Sequence, residues 1–178
     1  MPALITRLDA RDRALFARWT LATQAVHARG RLVLWRAITQ MGGTGVSIAV
    51  AAVPLALSAP GSALRLAAAQ AATALAVSHL CIQLIKRSVG RPRPSQGTGC
   101  ATLIDEPERF SFPSGHATAA MAVAFAYAMA FPGLALWSLP VAATVGFSRV
   151  RLGVHYPGDV LAGQVIAIAT AIAVRALW

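Results

Sequence analysis

A histidine and an aspartate near the end of the chain have the spacing of a catalytic pair. His155 precedes Asp159 by four residues, with Pro157 between them. A carboxylate at the start of a helix can reach back to such an imidazole, fix its tautomer and stabilise its protonated form. A histidine held in this way is a competent nucleophile toward phosphorus. The alternative interpretation is that Asp159 only caps the helix that follows.

A second histidine lies where a polar loop turns into an apolar helix, in the segment Pro113-Ser-Gly-His116. Pro113 and Ser114 are helix-start residues, and Gly115 leaves the backbone open to a ligand. The free N–H groups and positive dipole of a helix start favour a phosphate-like anion. An imidazole there can protonate a leaving oxygen and later deprotonate water. Taken alone, the four residues are equally consistent with a simple helix cap.

Three cations, Lys86, Arg93 and Arg149, complete the set of residues that could do phosphate chemistry. A phosphoryl group in transfer spreads its charge over three oxygens, which need several fixed donors. Arginine supplies planar, bidentate hydrogen bonding to such a group. Any one of these cations could instead be a membrane-surface anchor. That anchor interpretation is adopted for three neighbouring arginines, Arg87, Arg91 and Arg151.

The composition indicates that membrane-spanning helices must position these residues. Of the 178 residues, 57% are hydrophobic and only 12% are charged, which leaves too little polar surface for a soluble domain. About 20 apolar residues span a bilayer core, and several uncharged runs approach or exceed that length. The runs without Lys, Arg, Asp or Glu are Ala37–Leu64, Leu66–Ile85, Phe110–Ser148 and Val160–Val174.

The predicted fold is all-α, a multi-pass transmembrane bundle of about five spans plus an N-terminal interfacial amphipathic helix. Residues 1–178 form one domain, with the interfacial helix in 1–30 and the bundle in 37–177. The predicted spans are Ala37–Leu57, Ala63–Ile85, Ser114–Phe131, Leu134–Phe147, which Pro140 interrupts, and Pro157–Leu177. The segment Lys86–Pro94 is predicted to be an extended surface loop. Counting crossings places the four polar junctions on one membrane face, where helix bundles build sites.

Charge and metal-ligand patterns restrict the partners. The net charge is +10, but the arginines cluster at the ends of apolar runs, which favours anionic lipid headgroups over nucleic acid. Cys81 and Cys100 form neither a disulfide framework nor a metal site. No cluster has the ligand types and spacing of a zinc site, so we expect no metal and no cofactor. His27 and His79 lack matching partners and are interpreted as structural.

Three motifs, taken together, match a known family. Lys86–Pro94 fits Lys-x6-Arg-Pro, Pro113–His116 is Pro-Ser-Gly-His, and Ser148–Asp159 fits Ser-Arg-x5-His-x3-Asp. This combination resembles the type-2 phosphatidic acid phosphatase superfamily, which includes bacterial polyprenyl diphosphate phosphatases and vanadium haloperoxidases. The motifs cover only the middle and later part of the chain. Many members have six spans, whereas five are predicted here.

The resemblance implies a metal-independent membrane phosphatase acting on a lipid phosphate or diphosphate, such as undecaprenyl diphosphate or a phosphatidate. By resemblance, His155 is the nucleophile that becomes phosphohistidine, Asp159 its orienting partner, and His116 the general acid and base. The phosphate-binding residues implied in the same way are Lys86, Arg93, Ser114, Gly115 and Arg149. The haloperoxidase activity fits poorly, because those relatives are soluble.

Several alternatives stay open at the level of sequence. The chain could transfer phosphate to another lipid, or bind or transport a lipid phosphate without chemistry. We expect it in the cell (inner) membrane as a multi-pass protein. The distribution of arginines outside the motifs favours a cytoplasmic site, whereas the family resemblance to polyprenyl diphosphate phosphatases favours an outward-facing one.

Overall fold

The computed structural model describes residues 2–21, 29–106 and 108–178, with side chains from residue 9 onward in the first range. Apart from one isolated bridge between Pro92 and Phe110, the regular structure of these residues is helical, which confirms the all-α prediction. The helices are α1 Pro2–Trp19, α2 Arg29–Gln40, α3 Thr44–Leu57, α4 Ala63–Val89, α5 Pro94–Thr98, α6 Gly115–Ala130, α7 Ala135–Arg151 and α8 Pro157–Ala176. A short 3-10 turn, Pro132–Leu134, precedes α7.

Helix α6 is the centre of the bundle. It packs against α3, α4, α7 and α8. Half of the 16 residues of α6 are alanine, and Ala117, Ala122 and Ala126 are almost completely buried. Small side chains let helix backbones approach closely, which is how membrane helices associate. The residues at the start of α6, including His116, are therefore surrounded by the other helices.

The prediction of a multi-pass membrane bundle is confirmed. Among the described residues, three helical segments are long and apolar enough to cross a bilayer: Ala63–Val89, Pro132–Arg151 and Pro157–Ala176. The pair α2 and α3, bent by 43°, would make a fourth. Helix α6 was the remaining predicted span, but its 16 residues fall short of the usual length.

The first predicted span, Ala37–Leu57, is not a continuous helix. It is split between α2 and α3, with a break of three residues at 41–43. The break lies against the N-terminal end of α6: a Cβ on Gly42 would stand 2.8 Å from the backbone oxygen of His116. Gly42 allows this close approach at a break between α2, which packs on α7, and α3, which packs on α4 and α6.

Three predicted boundaries near prolines and cations were also wrong. Helix α7 runs through Pro140 to Arg151, because a proline in the second turn removes only one hydrogen bond. Helix α4 continues to Val89, so Lys86 lies on a helix rather than in an extended loop. Within the loop itself, Pro94 begins the short helix α5, since its fixed φ suits a first helical position.

Helix α1 packs against the end of the bundle. It ends at Trp19 instead of continuing to Arg29, and residues 22–28, with His27, lie outside the described part. The Phe16 ring is 1% exposed and lies 5.3 Å from the Tyr156 ring, edge to face. The Arg151 guanidinium donates to the Trp19 carbonyl at 2.7 Å. These contacts attach α1 where α7 ends and α8 begins; its location at the membrane surface stays a prediction.

Candidate active site

The four polar junctions meet at one end of the bundle, as the count of crossings predicted. The Ser114 N–H donates to the Asp159 carbonyl at 3.0 Å, which joins the start of α6 to the start of α8. The Arg93 guanidinium donates to the Val154 carbonyl at 2.9 Å, which joins the segment after α4 to the one after α7. A cavity of about 730 Å³ opens among these junctions. Its lining includes five of the eight predicted site residues, Arg93, Gly115, His116, Arg149 and His155.

Asp159 faces His155 and caps α8 at the same time. Its Oδ2 is 3.5 Å from His155 Nδ1, an ion-pair distance longer than a good hydrogen bond. The same oxygen accepts the Tyr156 N–H at 2.9 Å, which closes the first turn of α8. Both side chains are buried. The two interpretations of Asp159 are therefore compatible, because the capping bond holds the carboxylate beside the imidazole.

His155 has the protonation state that a nucleophile needs. Burial lowers the pKa of its imidazole to about 4, so the ring is neutral at neutral pH. With Nδ1 toward Asp159, the other nitrogen, Nε2, lies 3.5 Å from Arg93 Nη1. An attacking lone pair on Nε2 would thus meet a phosphoryl group held by that arginine.

Arg149 and Ser114 each carry a buried donor that has no hydrogen-bond partner among the described residues. Arg149 donates from Nη1 to the Thr39 hydroxyl at 2.8 Å, while its Nε has no hydrogen-bond partner among the described residues. Ser114 is the N-cap residue of α6, yet its hydroxyl makes no capping bond and is also unpaired within the described chain. Unpaired buried polar groups are costly and rare. Ser114 is therefore at the cap position of α6, as the sequence predicted, but without a side-chain bond, and an anion that reached both groups would satisfy them.

Glu108, which the sequence analysis did not single out, lies among the cations. Its carboxylate contacts the Lys86 ammonium and lies 3.8 Å from Arg93 Nη2, and it accepts a hydrogen bond from Gln83. Burial alone would raise the pKa of this carboxyl, but the Lys86 ammonium outweighs that effect and holds the pKa below its ordinary value. The Glu108 carboxylate therefore lies beside Lys86 and Arg93, two of the residues predicted to bind phosphate. One acidic residue in a polar loop gives no sequence signal for this role.

Arg91, interpreted from sequence as a membrane anchor, is instead a half-buried ion-pair centre. Its guanidinium lies 2.6 Å from Asp159 Oδ1, 2.7 Å from Asp9 Oδ1 and 2.8 Å from Asp12 Oδ2. The anchor interpretation is therefore wrong for this residue. Arg87, by contrast, is exposed in the last turn of α4, in keeping with that interpretation.

The cavity has an apolar wall as well as a polar end. Helices α3 and α4 supply this wall, which includes Ile48, Ala51, Ala52, Ala72, Leu75, Ala76 and Leu80. His79 also lines it, and its ring lies 3.4 Å from the Gln83 amide. A cavity that is cationic at one end and aliphatic along one side suits an amphiphile with an anionic headgroup.

No metal-binding cluster is found among the described residues: nowhere do three His, Cys, Asp or Glu side chains come together in a suitable arrangement. Metal independence itself stays a prediction, which a chelator tests.

Comparison with known proteins agrees with this geometry. The model of the PAP2 superfamily matches residues 67–178, a segment that contains all eight predicted site residues. The crystal structure of Aquifex aeolicus LpxE has a TM-score of 0.76 with this chain, covering 92% of it and 93% of that chain, at 21% identity. The likeness to LpxE concerns the fold alone.

Two curated relatives match over about half of this chain. The lipid A 1-phosphatase of Rhizobium etli is 38% identical over 96 residues, which are 51% of this chain and 41% of the relative. The undecaprenyl-diphosphatase BcrC of Bacillus subtilis is 42% identical over 79 residues, or 43% and 40% of the two chains. Each match therefore spans less than half of the relative's own length.

Proposed function

Because the chain belongs to the PAP2 superfamily, we propose that it is an integral membrane phosphatase that hydrolyses a lipid phosphate through a phosphohistidine intermediate. The observation that carries the proposal is the placement of His155: a neutral imidazole with Asp159 behind it and a cationic cavity, shared with His116, in front. The family implies the reaction class, and these residues supply a nucleophile, a proton donor and anion ligands for it.

The first chemical step would transfer the phosphoryl group to the protein. Arg93, Arg149 and the Ser114 hydroxyl hold the phosphate oxygens, with Lys86 released from Glu108 to join them. His155 Nε2 attacks phosphorus while the bond from phosphorus to the lipid oxygen breaks. His116, which takes up a proton from solvent once the anionic phosphate lies beside it, gives that proton to the leaving oxygen. Asp159 stabilises the positive charge that develops on the His155 ring.

The second step would return the protein to its starting state. A water molecule attacks the phosphorus of the phosphohistidine, and the bond between phosphorus and Nε2 breaks. His116, now neutral, accepts a proton from that water and is ready to act as an acid again. Inorganic phosphate and the dephosphorylated lipid are the products, and no redox change or further reactant is required.

The lipid nature of the substrate is inferred from the apolar wall and from the relatives' names. The headgroup would bind between Arg93 and His116, and the hydrocarbon would follow α3 and α4 into the bilayer. One relative is named for the 1-phosphate of lipid A and the other for undecaprenyl diphosphate, so both kinds of headgroup belong in the test. We place the protein in the cell membrane on the same grounds.

The test of this function is phosphate release by the full chain in detergent micelles. The panel contains phosphatidate, a polyprenyl monophosphate, a polyprenyl diphosphate and lipid A, each assayed with a chelator and with the His155→Asn variant as blank. We expect the intact chain, and not the variant, to release inorganic phosphate from at least one lipid. Phosphate that appears only on an acceptor lipid, or lipid binding without turnover, contradicts hydrolysis.

Replacing Glu108 by glutamine is expected to lower KM for the lipid phosphate. The carboxylate competes with substrate for Lys86 and Arg93, so its neutralisation removes a competitor. We expect KM to fall about tenfold, equivalent to roughly 1.4 kcal/mol, with little change in kcat. Initial rates over a range of substrate concentrations in micelles measure both constants.

Asp105→Asn is the matched control, since it removes the same charge from an exposed position of the same loop. An equal fall in KM for both variants would indicate a general surface-charge effect. A rise in KM for Glu108→Gln would show that Glu108 organises the cations instead of competing for them.

A further inference from the structure

We propose that Arg91 is a positioning residue for Asp159, and that helix α1 completes the active site by holding Arg91 through Asp9 and Asp12. The inference rests on the proposed function, because it assigns these residues a part in that reaction. It also gives α1, to which the sequence analysis assigned no site residue, an indirect role in catalysis through Arg91.

The Arg91 guanidinium is held by three carboxylates and by the face of one aromatic ring. Nη1 contacts Asp159 Oδ1 at 2.6 Å and Asp12 Oδ2 at 2.8 Å, and Nη2 contacts Asp9 Oδ1 at 2.7 Å. Its central carbon lies 4.2 Å from the centre of the Tyr156 ring, a cation–π distance. The side chain is 17% exposed. These contacts fix the orientation of the planar Arg91 guanidinium, and the guanidinium in turn fixes the orientation of the Asp159 carboxylate.

The contact between Arg91 and Asp159 determines which carboxylate oxygen of Asp159 faces His155. Oδ1 is taken by Arg91, so Oδ2 is the oxygen that accepts the Tyr156 N–H and faces His155 Nδ1. The Arg91 guanidinium contacts carboxylates and the face of the Tyr156 ring, whereas the His155 imidazole faces Asp159. Arg91 therefore acts on His155 through Asp159, by holding the tautomer and ring orientation that expose Nε2.

The acids of α1 determine how much of its negative charge Asp159 retains toward His155. Alone with Asp159, Arg91 would neutralise it and weaken its effect on a positive imidazole. Here the guanidinium is shared with Asp9 and Asp12, while Asp9 also pairs with Arg13 at 2.8 Å. This cluster of three carboxylates and two guanidiniums has one excess negative charge. That excess favours the positive charge that forms on His155 when it attacks phosphorus.

Asp12 also ties α1 directly to the first turn of α8. Its Oδ1 accepts the Gly158 N–H at 2.7 Å, next to Asp159 in the chain. The fit is tight, because a Cβ on Gly158 would lie 2.8 Å from Asp12 Oδ2. Gly158→Ala is therefore a way to displace the Asp12 carboxylate without altering any charged residue.

A double-mutant cycle in the full chain tests the inference, with kcat for lipid phosphate release as the readout. Arg91→Gln should lower kcat about 10- to 100-fold, as loss of a partner that orients a reacting group does elsewhere, with KM nearly unchanged. In the Asp159→Asn background the same substitution should change kcat less than about threefold, because two residues that act as one unit are not additive. Arg87→Gln, which removes an exposed arginine four residues before Arg91, should keep the kcat of the intact chain.

Milder variants keep the test decisive where Arg91→Gln fails to fold. Arg91→Lys retains the charge without the planar fork, and should give a kcat between those of the intact chain and Arg91→Gln. Asp12→Asn and Gly158→Ala leave Arg91 and Asp159 in place, and both should lower kcat in the same direction. Thermal unfolding in micelles identifies which variants are folded.

Two results would overturn the inference. One is an unchanged kcat in folded Arg91→Gln, Asp12→Asn and Gly158→Ala. The other is a loss of kcat in the double variant Arg91→Gln, Asp159→Asn that equals the product of the losses in the two single variants. The proposed function is judged separately by His155→Asn. If that variant is inactive while the Arg91 and Asp12 variants are fully active, only the inference fails, and if all are active the proposed function fails with it.

Discussion

Replacing His155 by asparagine is expected to abolish phosphate release while leaving lipid binding intact. Asparagine keeps a planar, polar side chain, although a smaller one, and offers no nitrogen lone pair that attacks phosphorus. Removal of the nucleophile from an enzyme with a covalent intermediate lowers kcat by about a million-fold, and we expect a loss of that order here. Binding should persist because Arg93, Arg149 and Lys86 provide the charge that holds the headgroup. Phosphate release and equilibrium binding of a fluorescent lipid phosphate measure the two properties.

His79→Asn is the matched control for this prediction, since His79 lines the same cavity on α4 and lacks a carboxylate partner of the kind His155 has. It should keep turnover within a fewfold of the intact chain. Retained turnover in His155→Asn, or an equal loss in both variants, contradicts the assignment of the nucleophile.

Replacing His116 by asparagine should have an effect that depends on the leaving group. For a lipid alkoxide, which needs a proton to leave, loss of the general acid should lower the rate of phosphoryl transfer about 10²- to 10⁴-fold. For p-nitrophenyl phosphate, whose leaving group departs as a stable anion, the first step should be almost unaffected. Rapid-mixing measurements of the first turnover with the two substrates give the comparison.

The second step still needs His116 as a base, so the variant should release one equivalent of p-nitrophenol quickly and then stall. His79→Asn again provides the control, with no stall. An equal loss of first-turnover rate for both leaving groups would show that His116 does not donate the proton.

The sequence alone was sufficient to assemble the core of the site, for a topological reason. Apolar runs that alternate across a membrane bring every second junction to the same face, so the cations near the end of α4 and the histidines near the starts of α6 and α8 had to meet. The family motifs then fixed which polar residues belonged together. Local spacing also predicted the pairing of His155 and Asp159, since four residues at a helix start lie within reach of each other.

Residues whose partners are distant in the chain were missed. Arg91 and Asp12 are 79 positions apart, and nothing in either segment indicates that a surface helix will dock there. Glu108 likewise reaches Lys86 only because the loop before α6 folds back over the end of α4. Composition predicts that such charges lie near the membrane surface, but the pairing depends on tertiary packing.

Prolines and glycines were the weakest basis for helix boundaries. Pro140 is tolerated in the second turn of α7, whereas the glycines at 42 and 43 break the first predicted span where α6 crosses it. In each instance the outcome depends on packing against a neighbouring helix, which local propensity does not contain.

Trapping the phosphoryl group on the protein tests the central claim most directly. The His116→Asn variant, mixed with p-nitrophenyl phosphate carrying a radiolabelled phosphoryl group and quenched in alkali, should retain label in an acid-labile form at residue 155. The same experiment on His155→Asn should leave the protein unlabelled. Label on a different residue, or phosphate release by the intact chain with no labelled protein at any time, would contradict a phosphohistidine mechanism.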